Sequence, residues 1–318
     1  MTLLDTMPTH TPQHAPFFVI LNAGSGRHDS NEVRDTIQRI MDEAGRTCTI
    51  IEVAQPQDLS RIARETVATA LQQGGIVVAA GGDGAINAIV QEAWQRDCPM
   101  GILPQGTFNY FGRTHHIPED TAEATQVLLT GRLQPVQIGL VNDKVFLVNA
   151  SVGLYPQLLQ AREQFKRQYG RSRLVALVAG FFTLLRQHRV LKIEMNTKGV
   201  SRKLRTPTLF VGNNQLQLEQ IGIPLTDALA SGELAAIMLK PTSKLAMLGL
   251  MLKGALGRLG EAENIVSFSF TSMGIRQFSF PRRRIKVATD GEIVRLKAPL
   301  VFQVAPRPLQ LIKLDEPR

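Results

Sequence analysis

"VVAAGGDGAINAIV", Val77–Val90, joins an apolar run to a helical pattern through Gly81-Gly82-Asp83-Gly84. A short apolar run closed by a glycine turn reads as a buried strand, and Ala85–Trp94 reads as the helix that leaves it. The surrounding chain repeats the alternation. Phe17–Leu21 ("FFVIL"), Thr47–Val53 ("TCTIIEV"), Gly75–Ala80 and Met100–Pro104 ("MGILP") read as strands. Asn31–Gly45 and Pro56–Gly74 have helical periods; both end in Gly, and the second begins with Pro. Strands alternating with helices predict a parallel sheet covered on both faces, an α/β domain.

The texture changes after Gly131. "VQIGLV", "KVFLVNASVGL", "TLFVGNN", "IVSFSFTS", "RIKVAT" and "IVRLKA" are short β-rich runs separated by turns. They predict a mostly antiparallel sandwich or barrel. Two helical inserts interrupt it, Tyr155–Arg189 and Ser243–Gly260. The expected organisation is a disordered lead-in over 1–16, a nucleotide-binding α/β domain over 17–132 and a β-rich, sandwich-like domain over 133–318. The two domains are expected to abut across a cleft.

The chain has 318 residues, a net charge of +9 and two cysteines, Cys48 and Cys98. Two distant thiols point to a reducing compartment without a disulfide framework. No Cys/His cluster has zinc spacing, and His115-His116 reads as a loop. The first basic residue is Arg27, so the positive start of a signal peptide is missing. The longest apolar stretch, Leu174–Leu185, has twelve residues, whereas a membrane span needs about 20. Residues 161–205 carry a net charge of +10, and "PRRRIK" (Pro281–Lys286) is a second basic cluster. Such bias predicts an anionic partner or a solvated basic face. With three Tyr and one Trp, the chain lacks the stacking residues that a single-strand binder interleaves with its cations, and nucleic acid is not expected.

Four glycine-bearing stretches carry the chemistry: Leu21–Gly26 ("LNAGSG"), Gly81–Gly84 ("GGDG"), Pro104–Asn109 ("PQGTFN") and Thr289–Glu292 ("TDGE"). The first three follow strands, where open parallel sheets bind ligands. Glycines there let backbone N–H groups approach phosphate oxygens, and helix starts add a positive dipole end. Ser25 and Thr107 add hydroxyl donors. Asn22, Asn87 and Asn109 can shape the loops or contact a nucleotide. Neither a P-loop nor a G-x-G-x-x-G fingerprint occurs. Asp83 reads equally as a helix N-cap, and Asp290-Gly291 as a hairpin turn.

Together the motifs resemble the diacylglycerol kinase catalytic-domain superfamily, and within it the soluble bacterial lipid kinases related to sphingosine and ceramide kinases. Asn22-Ala23-Gly24-Ser25-Gly26 resembles its N-P-x-S-G, and Gly81–Ala85 its G-G-D-G-T. Pro104–Phe111 resembles its P-x-G-T-x-N-D-F, and Asp290-Gly291-Glu292 its late D-G-E. The resemblance covers nearly the whole chain after the lead-in. It implies transfer of the γ-phosphoryl group of ATP to a lipid hydroxyl with Mg²⁺. Gly24, Ser25, Gly26, Gly81, Gly82, Gly84, Gly106 and Thr107 would then face the phosphates. Asp83 would orient its loop or engage the metal. Asp290 would accept the hydroxyl proton, with Glu292 beside it.

Three departures stand out. Ala85 replaces a threonine and Tyr110 an aspartate. Ala230-Ser231-Gly232 lacks the carboxylate of a family metal motif, so no structural Mg²⁺ is expected there; which residues would hold a metal stays open. The resemblance further implies a lipid substrate, an anionic membrane surface and a cytoplasmic protein attached peripherally to the inner face of the membrane. A homodimer is left open. "RSRLVALVAGFFTLLRQHR" (171–189) would lie at the surface of the bilayer, as would "LAMLGLMLKGALGRLG" (245–260), for which core packing is the stronger reading. An NAD kinase and a non-catalytic nucleotide- or lipid-binding sensor of the same fold are the rival readings.

Overall fold

The computed structural model describes residues 14–22, 29–154, 156, 190–197, 200–243, 246–247, 249–250, 253, 257–277 and 284–315. Two compact units are present, Met1–Ile138 with Ala305–Arg318, and Gly139–Val304.

The first unit holds β1 (Phe17–Asn22), β2 (Cys48–Val53), β3 (Ile76–Gly81), β4 (Met100–Pro104), β5 (Arg132–Val136) and the late strand β18 (Leu309–Lys313). Their order is β2-β1-β3-β4-β18-β5. Every pair is parallel except β18 with β5. Strands β3 and β4 are buried along their whole length, which is why they read as unbroken apolar runs rather than alternating ones.

Helix α1 (Ser30–Glu43) starts at Asp29, whose carboxylate accepts the Asn31 N–H at 3.0 Å. It buries Val33, Ile37, Ile40 and Met41, one stripe at helical spacing. Helix α2 (Leu59–Gln72) follows a 3₁₀ turn begun by Pro56, and Gly74 closes it at φ 61°. Helix α3 (Asp83–Gln95) leaves β3, and α4 (Tyr110–Thr114) leaves the loop after β4. Helix α5 (Thr121–Thr130) is capped by Asp120, which accepts the Glu123 N–H at 2.9 Å.

The second unit stacks two six-stranded antiparallel sheets. One holds β6 (Gly139–Val141), β7 (Lys144–Phe146), β9 (Leu191–Thr197), β10 (Val200–Thr206), β14 (Ser272–Gln277) and β17 (Leu300–Val304), in the order β10-β9-β14-β17-β6-β7. The other holds β8 (Asn149–Gly153), β11 (Thr208–Gly212), β12 (Leu234–Leu239), β13 (Ile265–Phe270), β15 (Arg284–Thr289) and β16 (Glu292–Lys297), in the order β13-β12-β11-β8-β15-β16. One core joins them, with Phe146, Phe270 and Phe302 fully buried. Each such ring contributes about 1.5–3 kcal/mol. Short helices α6 (Gln215–Gln220) and α7 (Thr226–Ala230) follow β11.

Two expectations need correction. The boundary placed at 132/133 lies at 138/139, and the chain returns to the first unit at Ala305. The reason is β18, which pairs between β4 and β5. Trp94 Nε1 donates to the Arg307 carbonyl at 3.1 Å, and the Arg307 guanidinium lies over the Trp94 ring at 5.2 Å, anchoring the returning segment to α3. Second, Asp83 is not the N-cap of α3. Gly82 holds that position with extended backbone (φ −81°, ψ 173°), and the helix begins at Asp83, two residues before the expected start at Ala85. The lead-in up to 13, stretch 171–189 and Pro281–Arg283 lie outside the described residues, as does much of 245–260.

Candidate functional site

Parallel register brings the ends of three strands level in the first unit. Leu21 pairs with Ala80, and Gly81 with Pro104, so Asn22, Gly81 and Pro104 end β1, β3 and β4 on one edge. Asn22 is half-buried there. Gly24, Ser25 and Gly26 lie outside the described residues.

The turns after β3 and β4 touch through their glycines. A Cβ at Gly106 would stand 2.9 Å from Gly82 Cα and 2.8 Å from Asn109 Oδ1. Asn109 is 1% exposed and left-handed (φ 48°), a conformation that Asn tolerates better than most residues. Its Oδ1 accepts the Gly106 N–H at 2.8 Å, and its Nδ2 donates to the Gly106 carbonyl at 3.1 Å.

Asp83 joins the two turns. Its Oδ1 accepts the Phe111 N–H at 3.4 Å, and the Tyr110 and Asn109 N–H groups also bond to its carboxylate. Burial pushes the Asp83 carboxyl above its ordinary value, and these three N–H groups pull the other way. Asp83 therefore caps α4 rather than its own helix.

The start of α3 carries no side-chain cap, unlike α1 and α5. Its N-cap, Gly82, has no side chain to accept the first-turn N–H groups at Asp83, Gly84 and Ala85. Uncapped N–H groups at a helix start form an anion site. Asn87 lies one turn further along α3 and is 5% exposed. Thr107 is exposed, and Phe108 stacks on Tyr110 with ring centroids 5.7 Å apart.

The second unit places Asp290 and Glu292 differently. Thr289 pairs with Glu292 across a two-residue turn, Asp290-Gly291, with φ of 47° and 87°. Two positive φ values in succession mark the hairpin that Asp-Gly predicts. The Asp290 carboxylate does more than turn the chain. Oδ2 accepts the Leu147 N–H at 2.7 Å, and Oδ1 accepts the N–H groups of Val148 and Asn149, each at 2.9 Å. Three backbone dipoles thus hold it in place. Glu292 is exposed.

Asn149 and Ser151 belong beside this turn, and sequence reasoning passed over them as site residues. Both alternate onto the face of β8 opposite the core residues Ala150 and Val152, and both are buried. Asn149 Nδ2 donates to Gln217 Oε1 at 3.0 Å, yet Asn149 Oδ1 and Ser151 Oγ have no hydrogen-bond partner among the described residues. Buried orphan polar atoms are costly and mark a place where a ligand would satisfy them. The clue was present in "VNASV", where polar residues alternate within a buried strand.

Residues 16–141 match the family model described as the diacylglycerol kinase catalytic domain. That segment is similar to the diacylglycerol kinase catalytic-domain family. A Cronobacter sakazakii protein called "Probable lipid kinase YegS-like" is 32% identical over 140 residues, 43% of this chain and 45% of the relative. A Staphylococcus saprophyticus diacylglycerol kinase is 35% identical over 85 residues, 26% of this chain and 28% of that one. These sequence matches thus span less than half the length of either relative. A solved Bacillus anthracis structure described as a diacylglycerol kinase aligns with TM-score 0.67, covering 95% of this chain and 98% of that one at 18% identity. That likeness shows the fold. The family segment contains both glycine turns, Asp83 and Asn109; Asp290 and Glu292 lie outside it.

No group of three or more His, Cys, Asp or Glu among the described residues could hold a metal ion. Mg²⁺ is commonly held by one or two carboxylates together with substrate phosphates. The described residues fit an ion that arrives with a nucleotide, and among them there is no cage for a resident one.

Proposed function

We propose that the chain is an ATP-dependent lipid kinase that transfers the γ-phosphoryl group to a lipid hydroxyl, diacylglycerol being one candidate acceptor. The observation that supports it best is the bare start of α3 set against the Gly82–Gly106 contact, at the carboxyl ends of β3 and β4. Gly81, Gly82, Gly84 and Gly106 let phosphate oxygens reach backbone N–H groups, and Thr107 adds a hydroxyl. Gly24, Ser25 and Gly26 take the same part from the first turn, with Asn22 and Asn87 shaping the surroundings. Asp83 and Asn109 keep the two turns together. Tyr110 joins this clamp through its backbone N–H, which bonds to the Asp83 carboxylate.

Bound with the nucleotide, Mg²⁺ would neutralise charge on the β- and γ-phosphates. Asp290 accepts the hydroxyl proton from a position fixed by its three N–H bonds, and Glu292 orients the acceptor. Labelled ATP, Mg²⁺ and a panel of lipids in mixed micelles test the reading, with NAD as a further acceptor. Label should appear in a lipid. Nucleotide binding without transfer to any lipid would leave the sensor reading, and transfer to NAD would replace the acceptor class.

The basic hairpin supports a reading of peripheral membrane attachment. Lys192, Lys203 and Arg205 are exposed on β9 and β10, within the segment of net charge +10. Among the described residues no helix is long and apolar enough to cross a membrane. Sedimentation with anionic vesicles should fall as salt rises; equal binding to neutral vesicles would remove the electrostatic part.

A further inference from the structure

The second basic cluster of the sequence, Pro281–Lys286, runs into β15, where Arg284 and Lys286 stand two residues apart. Strand β16 carries two more cations at the same spacing, Arg295 and Lys297. Side chains alternate across a strand. Val287 lies in the core, and Ile285, Val294 and Leu296 pack against it. Arg284, Lys286, Arg295 and Lys297 therefore all point to the outer face of their sheet, and all four are exposed. The hairpin that bears them is held at both ends. Asp290 fixes the turn through the Leu147–Asn149 N–H groups, and Asn142 Nδ2 donates to the Lys297 carbonyl at 3.1 Å.

Register sets these cations against each other. Lys286 stands opposite Arg295, and Arg284 opposite Lys297. Thr289 and Glu292 close the two-residue turn as a hydrogen-bonded pair, and the alternation that follows makes both cation pairs non-hydrogen-bonded. Such pairs have Cα atoms about 4.5 Å apart, the closer of the two spacings, and the two rungs are about 6.8 Å apart along the strands. Like charges directly opposite each other destabilise a sheet. No carboxylate on this face relieves them. The other outward positions of β15 and β16 are Ala288 and Ile293, and the adjoining β8 offers Asn149, Ser151 and Gly153. Arg284, Arg295 and Lys297 form no ion pair among the described residues. On the other sheet, by contrast, Glu194 stands between Lys203 and Arg276. Cations on an edge strand discourage pairing with another strand. Strand β16 is such an edge, which accounts for Arg295 and Lys297 but not for Arg284 and Lys286, one strand further in.

We propose that this ladder of four cations binds a short chain of linked phosphates, such as tripolyphosphate, laid across both rungs. The anion replaces two repulsions with charge-assisted hydrogen bonds, and the arginine forks suit phosphate oxygens. A patch of about 4.5 by 6.8 Å at the backbone matches a few linked phosphoryl groups rather than a duplex or a bilayer. A face that rests in lipid presses apolar side chains into it. The large exposed ones among the described residues, Leu71, Phe108, Val266 and Leu314, all lie on other elements. The ladder also points away from the cations of β9 and β10, because the two sheets share one core and each hairpin turns its charges outward. A flat bilayer that meets one hairpin leaves the other in water. The glycine turns belong to the first unit, so the ladder is a second phosphate site, and it stands whether or not the kinase reading holds.

Thermal unfolding of the full chain at low salt, with and without tripolyphosphate, and calorimetric titration with the same anion test this. Tripolyphosphate should raise Tm and bind about tenfold more tightly than orthophosphate, which reaches one rung only. Arg295→Gln with Lys297→Gln should raise the Tm of the anion-free protein, because the repulsion is gone, and weaken tripolyphosphate about tenfold. Lys240→Gln with Lys253→Gln removes the same charge elsewhere and should keep the affinity. Gly82→Ala weakens any phosphate binding at the glycine turns and should leave the ladder's binding in place, so the two sites are read separately. An unchanged Tm in the anion-free Arg295/Lys297 variant would remove the repulsion on which the proposal stands. Equal tripolyphosphate affinity in that variant, or equal losses in the Lys240/Lys253 variant, would overturn the site. Binding of a short DNA duplex or of phosphatidylglycerol vesicles through Arg295 and Lys297, without binding of tripolyphosphate, would overturn the occupant.

Discussion

Asn109 grips Gly106 from both sides: Oδ1 takes its N–H at 2.8 Å while Nδ2 gives to its carbonyl at 3.1 Å. Only a side-chain amide can do both. Asn109→Asp keeps the shape and the acceptor but loses the donor, leaving the Gly106 carbonyl opposite a carboxylate. Stability should fall by about 1–3 kcal/mol and nucleotide affinity by at least tenfold. Thermal unfolding and ATP titration check this; unchanged affinity in the folded variant would detach the turn from the nucleotide.

Gly82 and Gly106 touch, but a methyl group has unequal room at the two. At Gly82 an added Cβ meets Gly106 Cα at 3.4 Å, an ordinary contact, whereas at Gly106 it meets Gly82 Cα at 2.9 Å. Gly106→Ala should cost about 1–3 kcal/mol as overpacking. Gly82→Ala should fold nearly as the parent does, yet weaken ATP binding by covering the bare helix start. Denaturant midpoints and nucleotide titrations separate the two effects, and equal destabilisation by both would contradict the packing.

Asp290→Asn replaces one acceptor oxygen with an NH₂ group that faces backbone N–H donors. It should lower the stability of the second unit by about 1–3 kcal/mol and, if Asp290 is the base, kcat by about 10²–10⁴-fold. Glu292→Gln should leave stability unchanged and cost less activity. A destabilised Asp290→Asn with full turnover would reduce Asp290 to a clamp. Loss of turnover in Glu292→Gln alone would reverse the two roles.

His115 sits edge-on to Phe111, ring centroids 4.7 Å apart. Burial, with smaller contributions from Lys313 and His116, holds its imidazole well below the ordinary value. The folded protein therefore keeps His115 neutral at pH values where the unfolded chain, titrating near 6.5, takes up a proton. Stability should fall as pH drops from 7 toward 4.5 and return as pH rises. One such group gives a slope of at most about 1.4 kcal/mol per pH unit, and the half-buried ring makes it smaller. His115→Gln should flatten the dependence; identical slopes in both proteins would remove His115 as its source.

Strands β1, β3 and β4 were legible because burial makes them continuous apolar runs, each followed by a glycine-bearing turn; the partly exposed β2 showed only its β-branched residues. What Asp83 does was not legible. Its spacing suits a cap on its own helix, while its carboxylate serves N–H groups 26–28 residues further on, a choice made by the contact between turns. The D-G turn was readable as a hairpin from local chemistry. Its grip on Leu147–Asn149 spans some 140 residues and leaves no local trace. The same holds for β18, whose apolar residues name no partner.

The return of the chain at Ala305 sets an order on synthesis. Gly139–Val304 is continuous and can close its sandwich as soon as it has emerged from the ribosome. The first unit, though made earlier, must wait for β18, whose Leu309, Leu311 and Ile312 are buried between β4 and β5. Until then β4 and β5 present unpaired edges. The half that begins first is completed last, and a chain cut short before Leu309 would lose the half that bears the glycine turns while keeping the other.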